Sequence, residues 1–244
     1  MNQEDKNISV NLYHDGIGKV QLIQSMGTDK TIVRSARVSF GKDESGEELT
    51  ERDTKLVDYL IRHKHTSVFE HNMVTFKFVV PLFVRSQHHR HRTWSYNEIS
   101  RRYTDSDIKF YNLNSFRTQH ETNRQASNLN EEIDPWWDMK AKVPFSERIK
   151  DHVDESLYLY NEMIKAGICK EQARMILPQN MYTEYYGSCN LNNLLKFIDL
   201  RTHDGAQWEI QQVAKACLQI AEQLWPISIG AFNRIKNEKL SSQL

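Results

Sequence analysis

Three observations predict a helix-rich α+β single domain around a small antiparallel sheet. Apolar residues recur at helical spacing over two long C-terminal stretches, Ile149-Val153-Leu157-Tyr160-Ile164 and Ile210-Val213-Cys217-Ile220-Leu224. Period-two alternation is confined to short segments, chiefly Val74-Phe76-Phe78-Val80 with Thr75 and Lys77 between. No strand-like segment runs into Gly-x-Gly-x-x-Gly, which excludes a Rossmann unit.

Each element has its own reason. Ile8, Val10 and Leu12 alternate as an edge strand does, and Val20, Leu22 and Ile23 suggest a second strand after the Asp15-Gly16 turn. Asp29 is read as the N-cap of a helix through Ile32, Val33 and Ala36, and Asp53 as the cap of one bearing Leu56, Val57, Leu60 and Ile61. Pro81 suits the first turn of a helix through Leu82, Phe83 and Ser86, with Arg90 at its end or in the loop beyond. Residues 111–143 are polar and weakly periodic and read as a long excursion anchored by Trp136 and Trp137. Ser146 opens the helix that Gly167 stops. A helix carries Ala173 to Leu177 up to Pro178, and a short one around Leu194, Leu195 and Ile198 leads to Arg201. The last helix is expected to begin near Asp204 and end at Pro226.

Bulk composition narrows the function classes. Charges balance, with 32 Lys+Arg against 32 Asp+Glu, which argues against a protein that coats nucleic acid. No apolar run approaches the roughly 18 residues of a membrane span, and Met1 to Lys6 lack a signal-peptide pattern, so a cytoplasmic location is expected. Three widely spaced cysteines, Cys169, Cys189 and Cys217, suggest neither a disulfide framework nor a zinc site, and no metal is expected.

Against this neutral background, residues 90–103 concentrate four arginines with His91, Asn97, Glu98, Ser95 and Ser100. Arginine presents a planar, permanently charged fork that matches phosphate oxygens in pairs. Arg90-His91-Arg92, seven residues and then Ser100 resembles the signature of flavin-dependent thymidylate synthases. The resemblance extends in order to His65-Thr66-Ser67-Val68-Phe69-Glu70-His71, Phe116-Arg117-Thr118-Gln119, Asn123-Arg124-Gln125, Ala173-Arg174-Met175-Ile176-Leu177-Pro178, Leu200-Arg201 and Ala206-Gln207-Trp208-Glu209-Ile210. It covers the chain from about residue 8 to residue 232.

The resemblance implies reductive methylation of dUMP to dTMP, with 5,10-methylenetetrahydrofolate as carbon donor and NADPH as reductant through FAD. It implies a homotetramer whose active sites lie between subunits, with dUMP and folate as small-molecule partners. It places Gln87, His88, His89, Arg90, Glu98, Ile99, Ser100, Arg101, Arg102 and Arg174 at dUMP. Arg201 is implied as the activating residue, against the uracil O2/N3 edge, where a fixed cation would favour N3 ionisation. For FAD it points to Ser67, Glu70, Arg90, His91, Arg92, Asn97, Glu98, Asn190, Asn192 and Lys196, with His65 and His91 near the flavin or folate. Ser100, set among arginines without a positioned base, reads as a hydrogen-bond donor rather than a nucleophile. Asn192, Lys196, Gly205 and Trp94 depart from the usual pattern, with consequences expected for FAD affinity or folate access. The competing reading is a nucleotide- or RNA-binding module using the Arg/His cluster, with Trp94, Tyr96 and Tyr103 as stacking platforms.

Overall fold

The alternating N-terminal segments form strands β1 (Ser9–Asn11) and β2 (Lys19–Met26), followed by helices α1 (Asp29–Val38) and α2 (Glu51–Arg62). The computed structural model describes residues 8–39, 41, 48–105 and 107–241, so Met1 to Lys6 lie outside the described residues. A 3-10 turn at Ser67–Phe69 leads into β3 (Met73–Pro81), α3 (Leu82–His88) and β4 (Ser95–Glu98). Two hairpins, β5 (Phe116–Gln119) with β6 (Ser127–Ile133) and β7 (Trp136–Asp138) with β8 (Val143–Pro144), precede α4 (Phe145–Lys165). The short α5 (Lys170–Ala173) and a 3-10 turn at Arg174–Ile176 lead to β9 (Tyr182–Asn190), α6 (Leu191–Arg201), α7 (Trp208–Leu224) and α8 (Pro226–Ser241).

The main sheet runs β1-β2-β3-β9-β4, and every pairing in it is antiparallel. Its centre is the ladder between β3 and β9, nine pairs from Met73↔Asn190 to Pro81↔Tyr182. Val74, Phe76, Phe78 and Val80 occupy one face of β3 and are buried. They join a core that includes Phe197 and Ile198 of α6 and Val213, Cys217 and Ile220 of α7. Gly187 of β9 lies where a Cβ would come within 2.9 Å of the Phe78 ring and 3.3 Å of Trp94, so a side chain there would displace the core.

The α+β architecture and small antiparallel sheet match the sequence reading, while several boundaries differ for physical reasons. The α1 and α2 caps are Thr28 and Thr50. Asp53 instead sits in the first turn and returns its carboxylate to the Thr50 backbone N–H at 2.8 Å, completing a capping box. Asp29, buried, caps a different helix: its carboxylate accepts the backbone N–H groups of Ile227 and Ser228 at 3.0 Å. Pro226 therefore opens α8 rather than closing α7, its ring suiting a first helical turn. The last predicted helix starts at Trp208, not near Asp204. The excursion over 111–143 contains two short hairpins in place of an irregular loop. Strand β9, Tyr-Thr-Glu-Tyr-Tyr-Gly-Ser-Cys-Asn, has no counterpart in the sequence reading, because its polar and small residues mask its central place in the sheet. Gly167, with φ 85°, ends α4 as expected.

Replacing Asp29 with Ala should destabilise the protein by about 1–3 kcal/mol, because buried N–H groups of α8 would lose their acceptor. Urea unfolding checks this, and an unchanged midpoint would contradict the cross-chain cap.

Candidate active site

The predicted site residues assemble into two groups. The first lies beside the Tyr182 end of β9, where a polar pocket of about 560 Å³ is lined by Arg85, Glu98, Ser100, Arg101, Arg174 and Thr183, among others. Strand β4 pairs with β9 through Glu98↔Tyr185, which brings the Glu98 carboxylate to Thr183. Glu98 Oε1 accepts from Arg85 Nε at 3.1 Å and from Thr183 Oγ1 at 2.7 Å. Ile99 donates its backbone N–H to Glu184 O, and Ile99 also lines the pocket. The Ser100 hydroxyl accepts the Arg102 backbone N–H at 3.3 Å, which leaves its own proton to donate elsewhere. Arg174 reaches this pocket from the 3-10 turn after α5. Sequence reasoning misses Arg85 and Thr183; Arg85, a cation amid the apolar residues of a short helix, is the available signal.

The second group faces a larger cleft of about 880 Å³ between α2, α6 and α8. His65, Asn192, Lys196 and Arg201 line it together with apolar Leu60, Leu195 and Phe232. His65 is presented by a left-handed turn: Lys64 has φ 56°, and His65 N donates to Leu60 O at 2.9 Å. Asn192 Nδ2 donates to Glu70 Oε1 at 2.9 Å, which joins two of the residues expected at FAD. Asn190 caps α6, its Oδ1 accepting from Asn193 N at 2.9 Å. Asn123 and Gln125, from the turn of the β5–β6 hairpin, line this cleft together with Gly205, and Asn123 lies beside Gly205.

Arg201 closes α6 and is held by neutral acceptors. Its Nε donates to His91 Nε2 at 3.0 Å and its Nη2 to the Gln87 carbonyl at 3.4 Å. Among the described residues it has no carboxylate partner. Burial, and then the Arg201 charge, pushes the His91 imidazole down to about 4. His91 is therefore neutral at physiological pH and keeps a lone pair for Arg201.

Other predicted residues fall outside both clefts. His88, expected at dUMP, is fully buried and lies in the core. Its Nδ1 is 2.8 Å from Tyr185 Oη, its ring packs on Phe78, Trp94 and Phe197, and burial lowers its pKa well below the usual value. His89 stacks on Tyr96 at 4.1 Å. Arg90, Arg92, Asn97, Ser67 and Arg102 are exposed, with the Arg102 guanidinium over the Tyr103 ring. Trp94 is 5% exposed and packs against Phe76 and Phe197, so it touches neither cleft. Tyr96 donates its hydroxyl to His88 O and His91 O. Trp94 is buried and the Tyr96 ring is already stacked by His89 and Trp94, so neither offers a free stacking platform for single-stranded nucleic acid.

The chain matches the family model described as thymidylate synthase complementing protein over residues 21–227. It is 41% identical over 220 residues to a flavin-dependent thymidylate synthase of Thermus thermophilus, spanning 88% of this chain and 75% of that one. It is 39% identical over 217 residues to the flavin-dependent thymidylate synthase of Thermotoga neapolitana, spanning 88% and 90%. Among solved structures, it resembles a UMP/dUMP methylase PolB from Streptomyces cacaoi bound with 5-Br dUMP, with TM-score 0.76, 29% identity, and 92% and 97% coverage.

The His91 arrangement predicts a pH dependence. The folded protein holds the proton less tightly than the unfolded chain, so the contribution of His91 to stability is full above about 6.5 and is lost as pH falls toward 4. The His91 ring signal followed by NMR should titrate near 4, and should move toward the ordinary value in Arg201→Gln. Titration of His91 near its ordinary value, about 6.5, in the unaltered protein would contradict the pairing.

Proposed function

The chain belongs to the thymidylate synthase complementing protein family and is a flavin-dependent thymidylate synthase, and we propose that it methylates dUMP to dTMP. On this reading 5,10-methylenetetrahydrofolate supplies the carbon and NADPH supplies the reducing equivalents. The observation that carries the assignment of residues is the convergence of Ser100, Arg101 and Arg174, from separate segments, on one polar pocket.

In that pocket Arg101 and Arg174 take the phosphate dianion, for which paired guanidinium donors are well matched. Glu98, fixed through one oxygen by Arg85 and Thr183, has its second oxygen to accept from a ribose hydroxyl. Ser100 donates its free proton to the nucleotide. Arg201 lies against the uracil O2/N3 edge. Held only by neutral groups, it keeps its full charge to favour N3 ionisation and raise electron density at C5. Arg90, His89 and Arg102 extend the nucleotide site from the turns flanking β4.

The large cleft fits FAD by its chemistry. Apolar Leu60, Leu195 and Phe232 offer a bed for a ring system, while Lys196, His65 and the Glu70–Asn192 pair offer polar anchors. Ser67, Arg90, His91, Arg92, Asn97, Glu98 and Asn190 are the further FAD contacts we propose. FAD, when bound, supplies the electron transfer, and the protein supplies placement and charge. The three cysteines line neither cleft, and burial pushes the Cys189 and Cys217 thiols far up, so no cysteine is poised to attack C6 of uracil.

The two groups of residues sit in separate clefts of one chain. We propose that an active site joins the nucleotide pocket of one subunit to the Arg201 cleft of another in a homotetramer.

Purified protein incubated with FAD and freed of unbound dye should retain a flavin spectrum. It should then form dTMP from dUMP with NADPH and 5,10-methylenetetrahydrofolate, and a colourless, folded oligomer would contradict the reading. Arg201→Ala should keep the flavin spectrum and lose turnover by about 100-fold or more. Near-normal turnover in that variant would refute the role given to Arg201.

A further inference from the structure

Glu209 is a carboxylate 2% exposed in the first turn of α7, and it lies outside both clefts. Buried charge is costly unless paired. Here Arg117 Nη2, from strand β5, binds Glu209 Oε1 at 2.6 Å, and Tyr111 Oη lies 3.5 Å from the same oxygen. The second oxygen, Oε2, accepts from Gln207 Nε2 at 2.8 Å. Gln207 Oε1 in turn accepts from Gln87 Nε2, and the Gln87 backbone carbonyl accepts from Arg201 Nη2 at 3.4 Å.

The direction of this chain has a physical cause. An ionised carboxylate only accepts, so it turns the Gln207 amide N–H₂ toward itself and the Gln207 carbonyl toward Gln87. That carbonyl then demands the Gln87 amide N–H₂. The Gln207 amide thus has one orientation that satisfies both neighbours, and it holds the Gln87 side chain. The negative charge of Glu209 stays against Arg117, while the neutral Gln207 amide ties it to the side chain of Gln87, the residue whose main-chain carbonyl meets Arg201.

We propose that Glu209 is a positioning residue, which through Gln207 and Gln87 fixes the Arg201 guanidinium without neutralising it. The proposal rests on the reading of Arg201 given above. It also assigns a task to the β5–β6 hairpin: Arg117 anchors the hairpin to α7 and keeps Glu209 compensated. Arg117 further lies over the Trp208 ring, 5.2 Å from its centroid, which fixes the guanidinium from a second side.

The test uses flavin-loaded full-length protein and four variants: Glu209→Gln, Gln207→Leu, Arg201→Ala, and Gln207→Leu combined with Arg201→Ala. Gln207→Leu cuts the chain while leaving the Glu209–Arg117 pair in place, so it decides the matter if Glu209→Gln fails to fold. In Gln207→Leu, kcat should fall about tenfold or more while the protein stays folded and keeps the flavin spectrum, with a lower thermal midpoint because Glu209 Oε2 loses its donor. In the double variant, Gln207→Leu should cost nothing beyond the loss already caused by Arg201→Ala, because both act through one group. Unchanged kcat in Gln207→Leu, or losses that multiply in the double variant, would overturn the proposal while leaving the Arg201 role intact. Normal turnover in Arg201→Ala would overturn that role, and the positioning role with it.

Discussion

The nine-pair ladder between β3 and β9 is the constraint on which the rest depends. Eight steps of extended chain separate Tyr182 from Asn190 by about 27 Å. At the Tyr182 end, β4 and the turn after α5 deliver Glu98, Ser100 and Arg174. At the Asn190 end, α6 begins, its first turn joined to Glu70 through Asn192. The ladder is rigid because its inward face is filled by Val74, Phe76, Phe78 and Val80, and Gly187 admits Phe78 and Trp94 at close range. A single chain thus presents two separate arrays of polar groups on one stiff frame. That is the physical basis for proposing that subunits share active sites.

The second recurrent device is the treatment of charge. Glu98 is paired with Arg85 and Glu209 with Arg117, both partly or wholly out of water. Arg201 is held differently, by an imidazole nitrogen and a backbone carbonyl. A carboxylate in either place would orient the guanidinium as well but would cancel its field, which a developing anion on a substrate ring needs. Neutral acceptors supply orientation alone. The depressed pKa of His91 belongs to the same logic, since a protonated imidazole would repel Arg201 rather than hold it.

Much of this is legible in the sequence, for reasons that differ between elements. The apolar face of α7 and the alternation in β3 report their own burial, so both can be read directly. Strand β9 escapes such a reading because a central strand bearing Thr183, Glu184, Ser188 and Asn190 shows no clean alternation. Asp29 reads as a local cap although its carboxylate serves a helix nearly the whole chain away, a partnership that no local pattern encodes. His88 groups in sequence with its neighbours in the basic cluster, yet the last turn of α3 rotates it into the core. Trp94 likewise follows the core and not the site. Glu209 leaves a trace, a carboxylate four residues before Val213 on the apolar face of α7, where a charge needs a buried partner. Its partner Arg117 lies in a segment whose sequence reads as an irregular excursion, so the pair emerges only in three dimensions.

The most direct test of the account mixes two inactive variants, Arg174→Ala and Arg201→Ala. The altered residues belong to different clefts of the chain. Unfolding them together and reassembling them should yield mixed oligomers. Some of their sites would then carry both defects and others neither. The account predicts that each variant alone stays inactive while the mixture regains a substantial fraction of parental turnover. A mixture as inactive as its components, in oligomers shown to contain both chains, would mean that one subunit supplies both arginines to a site, and the shared-site account would be wrong.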